Sequence, residues 1–476
     1  MQIDPNVPLW PFFENLSRIP RPSKHEAAVK AWIRNLFAGT AIRIHEDEAG
    51  NLLLRKPAHP DMTGTPGIIL QSHLDMVPQK RDGSPHDFTR DPVELVRDGD
   101  WLHARDTTLG ADNGIGVAAI LAVFSDPAIR HGPLEALLTV DEEAGMSGAL
   151  GAQTDWFEGH YLLNLDTEEE NELYIGCAGG VDVVVSATLP ASGRQQAGWQ
   201  IGVHGLRGGH SGIDIHRQRG NAIRILAELL QTISHEWGPL EVAQFSGGTL
   251  RNAIARSAEA TLVLPAAADE SALQAVTDHY QTQWQAREPG IRITLTRTTV
   301  SETTPADTSH AWLDALLRCP HGVLAMSPDF EGVVHTSANL GVVHWTPGQI
   351  RVDCLPRSLD DRARDEAAER IGAVFAALGA RVERQAPYPG WTPRPDSPLL
   401  QRARQLHEQV LGVPAGIQVI HAGLECGLLG RKAPHWDMIS FGPTIQGAHS
   451  PDERVNIPSV ARFWRFLLAL LERIGT

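Results

Sequence analysis

Four apolar runs in this chain each end directly in residues of the kind that bind metals. Ile68-Ile69-Leu70 leads through Gln71 and Ser72 into His73 and Asp75, and residues 134–140 lead into Asp141-Glu142-Glu143. Residues 161–165 lead into Asp166, and residues 438–441 into a loop that carries His449. Short apolar runs bounded by polar turns read as buried strands, and helical-period stretches between them imply a mostly parallel sheet. In such a sheet the C-terminal strand ends share one edge, where ligands bind. The pattern therefore predicts an α/β domain that gathers imidazoles and carboxylates in one place.

The chain of 476 residues exceeds what one hydrophobic core usually serves, so two domains are expected. After Cys177-Ala178-Gly179-Gly180 the pattern changes to longer alternating runs, with helical stretches near 219–235, 270–286 and 361–379. This α+β pattern runs twice, over 198–298 and 300–385, and ends at the Pro-rich crossing 387–393. The reading is a catalytic domain of residues 1–186 and 388–476, with an inserted α+β lid domain over 187–387. At the N-terminus, Ser23-Lys24-His25-Glu26 fits a capping box before a helix whose apolar face is Ala28, Val29, Trp32, Ile33, Leu36 and Phe37.

Composition excludes more than it selects. With 41 basic and 57 acidic residues the formal charge is -16, which disfavours nucleic acid or an anionic membrane as partner. No signal peptide and no apolar run of membrane-spanning length is visible. Four scattered cysteines without a CxxC pair make a cysteine metal site or disulfide framework unexpected and fit a cytoplasmic location. Any metal must then be held by His, Asp and Glu.

His73 and Asp75, two apart in extended chain, point to the same side, so Asp75 can orient the imidazole as metal-bound histidines require. Asp112 lies in a glycine-containing turn before a helix. It overlaps Gly114-Ile115-Gly116-Val117-Ala118-Ala119, which matches a dinucleotide fingerprint. No strand directly precedes that match and Asp112 would repel a pyrophosphate, so a nucleotide site is not expected. Glu142 and Glu143 are adjacent and diverge, so one can bind metal while the other stays free as a general base. With Glu143 as the ligand, His73, Asp112, Glu143, Asp166 and His449 supply two imidazoles and three carboxylates. That set suits two divalent ions, Zn2+ first, with Co2+ or Mn2+ as alternatives. Each motif alone has a plain alternative: a capped helix for Asp112, solvated surface charge for Glu142-Glu143 and for residues 166–170.

The chain resembles the M20 metallopeptidases, and within them the branch that cleaves Xaa-His dipeptides. The resemblance rests on residues 70–80, Thr107 to Gly116, Glu142-Glu143-Ala144-Gly145-Met146, residues 175–180, Gly208-Gly209-His210-Ser211-Gly212, residues 247–254, residues 419–428 and His449-Ser450-Pro451-Asp452-Glu453. It implies that Asp112 bridges two metals, completed by His73 and Asp166 on one side and by Glu143 and His449 on the other. It further implies that Asp75 orients His73 and Glu142 is the general base acting on a metal-activated water. His210 of the lid would meet the oxyanion, and Asn252 and Arg357 the substrate. The expected activity is hydrolysis of Xaa-His dipeptides, including β-alanyl-histidine, by a possible homodimer. The alternatives are an N-acyl amino acid deacylase of the same family and an inactive metal-holding interaction protein. One departure is Asp106, where glycine is expected before Thr107.

Overall fold

Ile68–His73 and Leu134–Thr139 are buried along their whole length, as strands covered on both faces must be. They belong to an eight-stranded sheet ordered Arg43–Glu46, Leu52–Lys56, Leu134–Thr139, Ile68–His73, Tyr161–Asn164, Asp437–Ser440, Glu172–Cys177, Gly416–Ile420. The four central strands are mutually parallel, and antiparallel pairs extend the sheet on either side. All four predicted strand ends thus open on one edge. The structure, a computed structural model, describes residues 3–265 and 269–474.

The helix Ala111–Ser125 is buried along almost its entire length, packing between the strand Ile68–His73 and the N-terminal helix Trp10–Ser17. A helix apolar on all sides can only be an interior one. At the C-terminus Ile457–Arg473, capped by Asn456, turns a strongly one-sided apolar face inward. The segments Ile445–Gln446 and Arg454–Asn456 pair antiparallel, so His449 sits in the loop of a short hairpin that extends the pair Leu95–Asp98 and Trp101–Ala104.

The chain divides into two units. One holds residues 1–176, 391–419 and 424–476, and the other residues 177–390 and 420–423. The sequence-derived boundary at 186 falls inside the strand Gly179–Thr188, whose partners Gln349–Ser358 and Arg381–Tyr388 belong to the second unit. The cut at 186 is late because Gly179 and Gly180 already pair as strand residues with the second unit. In the second unit one nine-stranded antiparallel sheet runs through both halves of the doubled pattern, which therefore share a core instead of forming two modules. Its helices are Ala222–Trp237, Glu270–Gln285, Ala306–Arg318 and Asp361–Ala376, of which Ala306–Arg318 has no counterpart in the sequence reading. Among the described residues, no helix is long and apolar enough to cross a membrane.

Candidate metal centre

Asp112 and Asn113 depart from helical geometry (φ -81°, ψ 111° and φ -103°, ψ 34°), so the regular helix begins after them and Asp112 stands at its mouth. Gly110 precedes them at φ 69°, and a Cβ there would lie 2.6 Å from Arg21 Nη2 and 2.8 Å from Met76 Sδ. Only glycine fits that turn. Gly116 serves close packing: a Cβ would lie 2.3 Å from Ser72 Oγ on the neighbouring strand. A Cβ at Gly114 would lie 2.7 Å from Arg21 Nη2 and 3.0 Å from the Phe13 ring, so close packing explains both fingerprint-like glycines.

The structure brings all five proposed ligands together. Asp112 Oδ1 lies 3.1 Å from His73 Nε2, and Asp112 Oδ2 lies 3.1 Å from His449 Nε2. His73 Nε2 is also 3.3 Å from Asp166 Oδ1, and His449 Nε2 is 3.1 Å from Glu143 Oε2. One carboxylate therefore faces two imidazoles with separate oxygens, and each imidazole has a second carboxylate beside it. Donor atoms of His73, Asp112 and Glu143 all fall within 4.8 Å of one another, and Glu143 Oε1 is buried without a hydrogen-bond partner. A converging nitrogen and oxygen set with an orphaned buried acceptor fits divalent cations.

Asp75 is fully buried behind these groups. Its Oδ1 lies 3.3 Å from His73 Nδ1 and accepts the Glu142 amide at 3.0 Å, and its Oδ2 accepts the Glu143 amide at 3.2 Å. Asp75 thus holds the turn carrying both glutamates and lies beside the imidazole, whose Nδ1 has no hydrogen-bond partner. Ser23 donates to Asp75 Oδ2 at 2.7 Å. This corrects the capping-box reading. The helix Ala27–Leu36 has no side-chain cap, because Ser23 is committed to Asp75 while Glu26 accepts the amides of Lys24 and Asp141. Among the described residues the Glu142 carboxylate accepts no hydrogen bond, unlike its neighbour.

Charge is badly unbalanced here. Glu142, Glu143, Asp112, Asp166, Glu168, Glu425 and Glu453 interact electrostatically in a buried region that also holds Arg21. Burial pushes Glu142 well above the ordinary carboxylate range, raises Asp166 to about 6 and raises Glu168 to about 8. Burial also opposes the charged forms of Asp75 and Asp112, yet contact with the imidazoles holds both below the usual range. Hydrogen bonds to Asp112 and Glu143 raise His449 to about 11, and surrounding carboxylates lift His73 against its burial. Imidazoles bind metal in their neutral form, so metal uptake here would be coupled to proton release.

Glu425 is buried beneath this edge. Its Oε2 accepts from Gln71 Nε2 at 2.5 Å and from Thr139 Oγ1 at 2.7 Å. Gln71 accepts in turn from Asn164, whose amide oxygen takes the Ser440 hydroxyl, so one polar chain ties the four central strands. Burial raises Glu425 to about 8 from an ordinary 4.5. The folded chain keeps this proton up to the higher value while the unfolded chain loses it near the lower, so stability falls as pH rises between them. In chelated protein Glu425→Gln should raise Tm at pH 8 and leave it unchanged near pH 4.5. An equal Tm shift at both pH values would remove the buried carboxyl as its cause.

The remaining proposed residues lie in the second unit. The pairing of His210 with Ala253 sets His210 beside Asn252, whose carbonyl accepts the Ser211 amide at 2.9 Å. Amides of Gly212 and Ile213 donate to His210 Nδ1 at 3.2 and 3.1 Å, which places the ring proton on Nε2. Arg357 is 4% exposed, donates through Nη1 to Tyr388 Oη, and its Nε has no partner. Among the described residues no carboxylate pairs with it. His421 Nε2 contacts Ser337 Oγ at 2.8 Å, and burial aided by Arg357 lowers it to about 3, so it stays neutral. Asp106 takes a left-handed φ of 58°, as the expected glycine would, and its half-exposed carboxylate lies 3.7 Å from Arg81 Nε.

Sequence reading overlooked Arg21, Ser23 and Glu453. Arg21 has no place in the sequence pattern and Ser23 reads there as a cap, whereas Glu453 is visible only as the last residue of the motif beginning at His449.

The sequence profile of peptidase family M20/M25/M40 matches residues 69–473. The chain is 41% identical to the cytosol non-specific dipeptidase of Escherichia coli K12, over 99% of this chain and 98% of that one. The crystal structure of aminoacylhistidine dipeptidase from Vibrio alginolyticus superposes with a TM-score of 0.86 at 42% identity, covering 98% of this chain and 96% of that one. An aminopeptidase from Bacillus cereus shares the fold, at a TM-score of 0.58 and 16% identity over 98% of both chains. The match across nearly the whole chain makes this protein a member of the M20 family of metallopeptidases.

Proposed function

We propose that this metallopeptidase is a dipeptidase that hydrolyses Xaa-His dipeptides, β-alanyl-histidine among them. The names of the two similar proteins, one non-specific and one aminoacylhistidine-directed, support Xaa-His substrates within a wider dipeptide range. The observation that carries the reading is Asp112, with one carboxylate oxygen 3.1 Å from each of two imidazoles in a region dense with buried acids. Asp112 is assigned as the bridge, His73 and Asp166 to one ion, Glu143 and His449 to the other. Zn2+ suits this nitrogen and oxygen set, with Co2+ or Mn2+ as alternatives.

Bound divalent ions would supply polarisation of the scissile carbonyl and acidify the attacking water. The chain's own residues do the rest. Glu142, whose carboxylate is uncommitted, accepts the proton of the attacking water and returns it to the leaving amine. Asp75 lies beside His73 and holds the Glu142-Glu143 turn, so base and ligand keep a common origin. His210 offers an Nε2 proton to the tetrahedral oxyanion, and such a donor is worth about 3 kcal/mol. Arg357, buried without an acidic partner, suits the substrate's terminal carboxylate, with Asn252 as a further polar contact. The roles of His210, Asn252 and Arg357 rest on side-chain chemistry and motif resemblance. A homodimer in the cytoplasm completes the reading, the latter supported by the cytosolic relative and four buried free cysteines.

Turnover across a panel of dipeptides, Xaa-His included, should be abolished by chelation and restored by Zn2+, Co2+ or Mn2+. N-acetyl amino acids should be poor substrates; faster cleavage of those would favour a deacylase. Metal content separates the ligand roles. Asp112→Ala should lower occupancy of both ions together, whereas His449→Ala should chiefly empty one. Two tightly bound equivalents in Asp112→Ala would rule out the bridge.

A further inference from the structure

Asp112 can face two imidazoles only if the loop before its helix holds its shape, and that loop is clamped from both sides. Glu453, 2% exposed, accepts four successive backbone amides: Leu109 at 2.7 Å and Gly110 at 3.0 Å through Oε2, and Ala111 at 2.8 Å and Asp112 at 3.3 Å through Oε1. Consecutive amides converging before a helix form an anion site, and here the anion is built into the chain. From the other side Arg21, 2% exposed, donates through Nη2 to the Gly110 carbonyl at 2.6 Å. Its Nη1 donates to the carbonyls of Leu74 at 2.9 Å and Asp75 at 2.8 Å, just past His73. The clamp thus joins the loops of His73 and Asp112. Glu453 also ends the hairpin loop that carries His449, with its own amide bonded to the Ser450 carbonyl at 3.0 Å.

We propose that Glu453, with Arg21 opposite, is a positioning residue that makes the Asp112 loop and the His449 hairpin one unit, so that loss of the clamp weakens both metal sites together. Glu453 need touch neither metal nor substrate to do this. A carboxylate offers enough lone pairs for four amides, whereas an amide side chain offers one acceptor oxygen and turns an NH2 group toward backbone donors. Glu453→Gln therefore leaves the loop without its anchor while changing size little. The inference rests on Asp112 as the bridging ligand.

The test is titration of chelated protein with Co2+, read by bound stoichiometry and by the Co2+ absorption spectrum, which reports ligand geometry. Wild type should bind two equivalents. In Glu453→Gln the affinity for both should fall about 10- to 100-fold, the range found for residues that orient metal ligands, with an altered spectrum. Glu453→Asp, which keeps the carboxylate, should lie between. A site weakened only through lower fold stability would keep the wild-type spectrum in its folded fraction, and that result counts against positioning. Two equivalents bound in folded Glu453→Gln with wild-type affinity and spectrum would overturn the proposal. If Glu453→Gln does not fold, Glu453→Asp and Arg21→Lys decide it. Weakening of both equivalents together supports the clamp, and wild-type binding or loss of one ion alone refutes it. Wild type that fails to bind two equivalents would refute the ligand assignment itself, a failure distinct from that of the clamp.

Discussion

Glu142→Gln should lose at least about 10²-fold in kcat while keeping two metal equivalents and the wild-type Tm of the loaded protein. General acid-base groups contribute about 10²- to 10⁴-fold, and Gln preserves the shape of Glu142 without its proton capacity. The separation of effects is possible because the two neighbouring glutamates have different surroundings. Glu143 Oε2 lies 3.1 Å from His449 Nε2, whereas the Glu142 carboxylate has no such contact and only its amide is held, by Asp75. The complementary Glu143→Gln should lose metal as well as turnover. Metal analysis beside kinetics distinguishes them, and loss of an ion in Glu142→Gln would mean the two roles are exchanged.

A C-terminal amide on an otherwise good dipeptide should lower kcat/KM by about 10²-fold or more. A buried charge pair broken on one side costs about 2–5 kcal/mol, much of it from the charge left unpaired. Arg357 is suited to such a pair because it is buried with Nε unsatisfied, and its Nη1 partner, Tyr388, is uncharged. Neutral His421 nearby adds no competing anion. Arg357→Ala should therefore lower activity on the acid and erase most of the difference between acid and amide. A buried arginine is also structural, so the ratio of the two substrates is the decisive quantity, since loss of folded enzyme scales both equally. Equal kcat/KM for acid and amide in wild type would reject the carboxylate role and favour a broader amidohydrolase.

His73, Asp112, Glu143, Asp166 and His449 could be chosen from sequence because each follows a strand-like run or opens a helix. Strand period, apolar length and helix starts are local properties, read within a few residues. The α/β class and the parallel centre of the sheet follow from the same signals, as does a change of pattern near residue 180. What local pattern does not encode is partnership. Ser23-Lys24-His25-Glu26 satisfies every local requirement of a capping box, yet Ser23 serves Asp75, which lies 52 residues away. The buried carboxylate gains more from that hydroxyl than an exposed helix start would.

The sequence by itself determined the kinds of donor atoms, their places at strand ends and the family that uses them. Tertiary structure alone decided that Asp112 faces imidazoles 39 and 337 residues distant, and that Glu453 closes on amides up to 344 residues away. Those pairings follow from how parallel strands distant in sequence are ordered side by side in one sheet and from a hairpin that returns near the end of the chain. The physical reason is that burial makes an unsatisfied carboxylate or amide expensive, so polar groups take whichever partner folding brings within reach. Which partner that is depends on sheet order, a property of the whole chain and of no single segment.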